Sequence, residues 1–313
     1  MEMIREVLNH LMIGEPVSMN NLTMFPIQRE SSRPPDYVTL DEALEHGWAT
    51  VTEISEEGSV PQLRFENRAD RPVLLVDGEE LVGAKQDRIL NLTILIPALQ
   101  TVIIPVSCVE QGRWSRRSRG FRSSKSALYY RARAAKTSQV SASMAMMGER
   151  SSSQGGLWQS ISSMFKASQT DSKTYAMSDL YDKSASKMND YTKAFELSPQ
   201  QVGAIFAVNG HICGFDLFEH TEILKRVFPK LVRSYALEAL IGQEAKHEEC
   251  TTGSAFGFLS SVSDTAAKTY PAIGLGQDIR LSGTGIAGGA LALEDRLIHL
   301  NAFRMEEGQG EGH

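Results

Sequence analysis

The stretch Gly78–Trp114, GEELVGAKQDRILNLTILIPALQTVIIPVSCVEQGRW, decides how the rest of the chain is read. Two polar clusters in it flank two apolar runs. The first cluster is Gly78-Glu79-Glu80 with Lys85-Gln86-Asp87-Arg88, and the second is Cys108 through Trp114. Arg88–Pro97 is rich in Ile, Leu and Thr, and Thr101–Val106 in Val and Ile, types that suit a pleated surface. Pro97–Gln100 between them has the length of a hairpin loop, so the runs are expected to pair antiparallel. That pairing brings their outer ends together. Lys85, Asp87, Arg88, Glu110 and Arg113 then gather beside Cys108. Mixed carboxylates and guanidinium groups are what acid–base or phosphate chemistry uses. Charges at strand ends also serve as plain surface ion pairs, and the residue types leave both readings open.

Two segments carry a resemblance. GEELVGAKQDRILN over 78–91, followed by PVSCVEQGRW over 105–114, resembles the bacterial family described as ARG and Rhodanese-Phosphatase-superfamily Associated Protein. The resemblance continues through Leu157-Trp158 and Ala204–Phe218 to His299, and so covers most of the chain. The family name implies an association with ADP-ribosylglycohydrolases and phosphatases. That association is a hint about pathway rather than an activity; one reading it suggests is a hydrolase acting on a nucleotide or ADP-ribose-type phosphate compound. The family pattern often has Asn where this chain has Asp87, a departure that changes the local charge balance.

The candidate site follows from these segments. Lys85, Arg88 and Arg113 are expected to hold an anion, with Glu79 or Glu110 as general base. Gln86, Asn91 and Gln111 would orient the substrate, with Glu80 and Trp114 in the same substrate-binding set. Glu79 and Glu80 are adjacent, so on a strand they point to opposite faces and at most one serves the site. Cys108 is a candidate nucleophile if His211 or His299 approaches it, although a buried strand cysteine is more often packing. His211 is a second catalytic candidate, set against the commoner fate of an exposed hairpin-end histidine.

Bulk properties bound the class. A chain of 313 residues can bury a full core, and 42% hydrophobic with 22% charged residues is ordinary for a globular protein. The net charge of −6 argues against global nucleic-acid affinity. No apolar run approaches a membrane span, and the opening MEMIREVLNHLMIG lacks a signal peptide's apolar stretch. Cys108, Cys213 and Cys250 are widely spaced, which suits a reducing compartment and makes the cytoplasm the expected location. No P-loop, GxSxG, HExxH or dinucleotide fingerprint occurs, so no cofactor is expected. His247-Glu248-Glu249-Cys250 has metal-capable side chains but no second half at zinc spacing, so no metal site is expected.

The remaining chain is punctuated clearly. Val17–Gln28, Trp48–Ile54, Val60–Glu66 and Pro72–Val76 read as strands. Val73–Val76 is expected to pair with Glu80–Ala84 across the Asp77-Gly78 turn. From Arg113 to Lys136 basic residues occur with no acidic one between them. They read as a solvated face or arm rather than a nucleic-acid site, with a positive potential that attracts a phosphorylated small molecule. Ser123–Arg150 is helix-permissive, and Leu157–Phe165 and Met177–Phe195 have helical spacing. Asn209-Gly210 joins two apolar runs in a tight hairpin. Thr221–Gly242 is an amphipathic helix that Pro229 should kink or split. Asp278–Leu281, Gly285–Leu293 and Arg296–Phe303 read as closing strands. The expected fold is α+β, a sandwich- or barrel-like sheet system forming one compact domain over 1–313. A helical, partly mobile insertion covers 120–200, and 304–313 is a disordered tail. Three functional readings stand: an enzyme on a phosphate compound, a non-catalytic ligand-binding protein using the same pocket, and a partner-binding protein. Whether the chain catalyses a reaction is not decided by its sequence.

Overall fold

The computed structural model describes residues 1–30, 33–242 and 249–305. The chain runs α1 (Glu2–Asn9), β1 (Met12–Ile13), β2 (Val17–Met19), β3 (Leu22–Gln28), β4 (Val38–Thr39), α2 (Leu40–Glu45), β5 (Ala49–Thr52) and β6 (Gln62–Asn67). It continues through β7 (Val73–Leu75), β8 (Glu79–Gly83), β9 (Arg88–Leu90), β10 (Ile94–Ile96), β11 (Thr101–Cys108) and β12 (Phe121–Ala127). Helices α3 (Tyr130–Met147), α4 (Gln154–Ala167), α5 (Met177–Lys183) and α6 (Ala185–Ala194) follow. The last part is β13 (Gln201–Val208), β14 (His211–Phe218), α7 (Thr221–Ile241), α8 (Thr252–Ser263), β15 (Ala266–Pro271), β16 (Gln277–Gly283), β17 (Ile286–Leu293) and β18 (Arg296–Arg304).

Among the described residues, a nine-stranded sheet has the order β1-β3-β13-β14-β18-β17-β16-β15, with β2 also on β3. Strands β11-β6-β5-β12-β8-β9 close into a barrel, and β10-β7-β4 form a small third sheet. The fold is therefore α+β with a barrel-like sheet system, as expected. Alternation explains the barrel: along β6, Leu63 and Phe65 are buried while Gln62 and Arg64 are exposed, the pattern of a strand with one face inward. Val51, Leu63, Phe65, Leu81, Leu90, Ile104 and Val106 make its apolar interior. Val73, Leu75, Ile94 and Ile96 of the small sheet join that cluster and stop one end of the barrel.

Several expectations need correction. The pairing of Arg88–Pro97 with Thr101–Val106 holds only at the outer ends, where Arg88 faces Cys108 and Leu90 faces Val106. Ile94–Ile96 leaves for β7, where both isoleucines are buried against the barrel end. Thr101–Pro105 pairs with β6 instead. Likewise Val73–Leu75 pairs with β10 and β4, not with Glu80–Ala84. The Asp77-Gly78 turn passes the chain between sheets, and Gly78, at φ 81, donates its N–H to Leu90 O at 3.0 Å. Val17–Gln28 is two strands parted at Asn20, which has φ 52. Residues 121–127 form a barrel strand, and the helices begin only at Tyr130. Helix α7 is continuous through Pro229. Strand β18 runs on through Arg304, while 306–313 and the His247-Glu248 pair lie outside the described residues.

Helices α1 and α8 cover one face of the large sheet, Ile4, Leu8 and Phe258 packing with Phe25, Ile205 and Phe215. On the other face, α3 and α7 fill the space between sheet and barrel through Ala132, Leu231 and Tyr235. The second barrel end lies opposite the small sheet.

Candidate functional site

The residues at that second end follow from strand parity. Side chains two apart on a strand share a face. Arg88 is two before inward-facing Leu90, Cys108 two after inward-facing Val106, and Glu53 two after inward-facing Val51. All three therefore lie at the barrel mouth, and all are buried. Trp114 covers them from outside: its ring lies 5.8 Å from the Arg88 guanidinium and 5.3 Å from Lys85 Nζ. Gly58, at φ 79, makes room for this cover, since a Cβ there would stand 3.4 Å from the Trp114 ring and 3.1 Å from Lys85.

Beside the mouth stands a clamp. Arg113 donates to Glu110 Oε1 at 2.8 Å and Oε2 at 2.5 Å, and to Asp87 Oδ1 at 3.2 Å. Its two Nη1 N–H groups go to the carbonyls of Ala84 and Ser115 at 2.8 and 2.9 Å, and Nη2 is shared with the Gly83 carbonyl at 3.3 Å. A guanidinium has five donors, and here all are engaged within the protein. Glu110 also accepts from the Asp87 N–H at 3.1 Å. Burial pushes the Glu110 carboxyl up, but the bonds from Arg113 and Asp87 outweigh it and hold it below its ordinary value. Burial and the nearby Glu110 charge raise Asp87. Gln86 ties the clamp to the mouth, giving Nε2–H to Glu110 O at 2.8 Å and accepting from the Cys108 thiol at 3.2 Å.

Arg88 contrasts sharply with Arg113. It is 0% exposed. Only Nη1 is engaged, by long bonds to Gln86 Oε1 at 3.3 Å and Asp87 O at 3.4 Å. Among the described residues, Nε and Nη2 have no hydrogen-bond partner, and neither does Glu53 Oε2 beside them. Burial raises the Cys108 pKa, with Arg88 and the Trp158 indole opposing it. Cys108 is thus a protonated thiol at neutral pH, which does not favour a nucleophile.

The other candidates fall elsewhere. Glu79 is bound by Lys230 Nζ at 2.7 Å and by the Val76 N–H at 2.8 Å. Glu80 is fully buried; burial and the Asp87 charge push it up to about 8, with Ser124 opposing. Asn91 binds Arg150 O and Ser107 Oγ. Gln111 is exposed, and His211 is exposed at the β13–β14 turn of the large sheet. His299 is occupied by Thr93 Oγ1 at 2.8 Å and Asp216 Oδ1 at 3.3 Å.

Four residues escaped the sequence reading. Glu53 stands far from the motif in the chain and reaches the mouth through barrel closure, while Trp158 is brought to Cys108 by α4, whose Gln154 bonds the Cys108 backbone. Arg133 and Lys136, read as part of a solvated run, are buried by α3. Arg133 grips both Asp216 oxygens at 2.7 and 3.0 Å, and Lys136 pairs with Asp77. These cations are matched by carboxylates and read as structural. A cavity of about 550 Å3 lies apart, lined by Arg29, Asp36, Glu219, His220 and Arg296. Its charges answer one another, Arg296 binding Asp36 and Glu219 at 2.7 to 2.9 Å, so the mouth is the stronger candidate.

The fold and site define an α+β protein with a closed six-stranded barrel, set against a nine-stranded sheet, whose mouth holds an underused buried guanidinium. The chain belongs to the family described as the ARG and Rhodanese-Phosphatase-superfamily-associated Protein domain, whose model matches residues 10–303. No curated protein and no solved structure matches it.

Proposed function

We propose that this protein binds a phosphorylated small molecule of the nucleotide or ADP-ribose type at the barrel mouth, as a ligand-binding protein. The observation that carries the reading is Arg88, buried with Nε and Nη2 unpartnered. An unsatisfied buried guanidinium is costly, so its retention calls for an occupant. Arg88 and Lys85 supply an anion site, Glu53 Oε2 an acceptor for a ligand hydroxyl, and Trp114 a ring on which a base can stack. The name of the family, which associates it with ADP-ribosylglycohydrolases, supports that ligand class. The three free, buried cysteines support a reducing compartment such as the cytoplasm. Binding is favoured over hydrolysis because Glu79 and Glu110 are tied to cations and Cys108 is held as a thiol.

Calorimetric titration of wild type and Arg88→Gln with ADP-ribose, AMP and inorganic phosphate tests this. Wild type should bind at least one of them, and Arg88→Gln should bind it at least about tenfold more weakly. Equal binding by both proteins, or none by wild type, refutes it. Turnover of the ligand that Glu110→Gln abolishes would establish the hydrolase instead.

A further inference from the structure

A separate cavity of about 220 Å3 opens between α2, β12, α6 and α7. Its lining includes four cations, Lys125, Arg226, Lys230 and Arg233, against the single carboxylate Asp41. Two of the cations are spent. Lys230 gives its three N–H groups to Asp41, Glu79 and Ser123 at 2.6, 2.7 and 2.9 Å. Arg226 pairs with Glu42 at 3.3 Å. The other two are not. Arg233 is only 8% exposed, yet only its Nε is engaged, at 3.4 Å from Ser126 Oγ. Its guanidinium lies over the Tyr181 ring at 5.5 Å. Nη1 and Nη2 form no hydrogen bond among the described residues, and the side chain lines the cavity. Lys125 stands exposed at the rim.

We infer that this cavity is a second anion site, independent of the barrel mouth, for a small phosphate monoester dianion. Two uncompensated cations match two negative charges. The paired terminal N–H groups of a guanidinium suit two phosphate oxygens, with the lysine as a point charge. Asn189 and Thr192 line the same cavity from α6 and add polar groups for the ester side. The volume is below the roughly 300–1,000 Å3 of drug-sized pockets, so the ligand carries few atoms beyond its phosphate.

Titration of the full chain with glycerol 3-phosphate, and separately with inorganic phosphate, tests the site. Wild type and Arg88→Gln should bind glycerol 3-phosphate alike, while Arg233→Met and Lys125→Met should each weaken it by about tenfold or more. Lys125 is exposed, so its variant stays informative even if Arg233→Met folds poorly. Binding should also weaken between about pH 7.5 and about pH 5, as the phosphate takes up its second proton near pH 6. Binding of inorganic phosphate with the same losses would name the free ion as ligand. Undiminished binding by a folded Arg233→Met or Lys125→Met, loss in Arg88→Gln alone, or no binding by wild type overturns the inference.

Discussion

Replacing Arg88 with Met should stabilise the unliganded protein. Arg88 is wholly buried at the barrel mouth with Nε and Nη2 unpaired. Each unpaired buried donor costs roughly 1–3 kcal/mol. Against this, the substitution loses the contact with Trp114 at 5.8 Å, worth about 0.5–2 kcal/mol. It also loses two hydrogen bonds of 3.3 and 3.4 Å, whose length places them at the weak end, about 0.5 kcal/mol each. Methionine is unbranched and fills the vacated channel beside Leu90 and Val106 without a polar atom. Gln86 Oε1 keeps the Cys108 thiol as a donor at 3.2 Å. The balance is a gain of about 1–3 kcal/mol, the direction seen when buried ions give way to apolar groups. Urea unfolding at neutral pH, with wild type and variant compared at equal slope, measures it. A loss of more than about 1 kcal/mol would refute the reasoning, because it would mean that Arg88 has partners worth more than its desolvation.

Arg113→Met should do the opposite and cost about 3–5 kcal/mol at neutral pH, since it strands Glu110 and Asp87. The folded-state pKa of Glu110 is depressed, so its contribution is full above about 4.5 and lost as pH falls through the depressed value; the gap between wild type and variant should close in acid, by unfolding at a series of pH values. Glu80 has the reverse sign: its folded pKa of about 8 lies above the unfolded 4.5, so wild type should lose stability relative to Glu80→Gln across that window, by about 1.4 kcal/mol per unit. A flat difference between the two proteins from pH 5 to pH 8 would contradict the burial of that carboxyl. Asp216→Asn should cost about 3–5 kcal/mol in thermal or urea unfolding, as it leaves the buried Arg133 without its bidentate partner.

The motif over Gly78–Trp114 named most of the residues around the mouth, because antiparallel pairing of neighbouring runs is a local matter and Arg88 does face Cys108. What it could not give was the division of labour. Arg88 and Arg113 have the same chemistry, and both belong to polar clusters of the one motif. Arg113 lies where Glu110, Asp87 and three carbonyls converge, and so it is saturated; Arg88, at the barrel mouth, meets only two long bonds at Nη1 and is not. Arg133 and Lys136 were misread for a related reason. A basic run looks solvated until Asp77 and Asp216, from other parts of the chain, arrive to neutralise it in the interior.

By itself the sequence determined the α+β class, the strand-rich first third, the Asn209-Gly210 hairpin and the closing strands, since alternation and turn residues act over a few positions. Family membership was legible too, in two motifs with specific residue order. Only the tertiary structure decided that β8, β9, β11 and β12 close with β5 and β6 into a barrel, and that Ile94–Ile96 leaves its neighbour for β7. Only it decided which charges are paired, because pairing and desolvation depend on groups that approach from distant segments, and no local pattern records which segments those are.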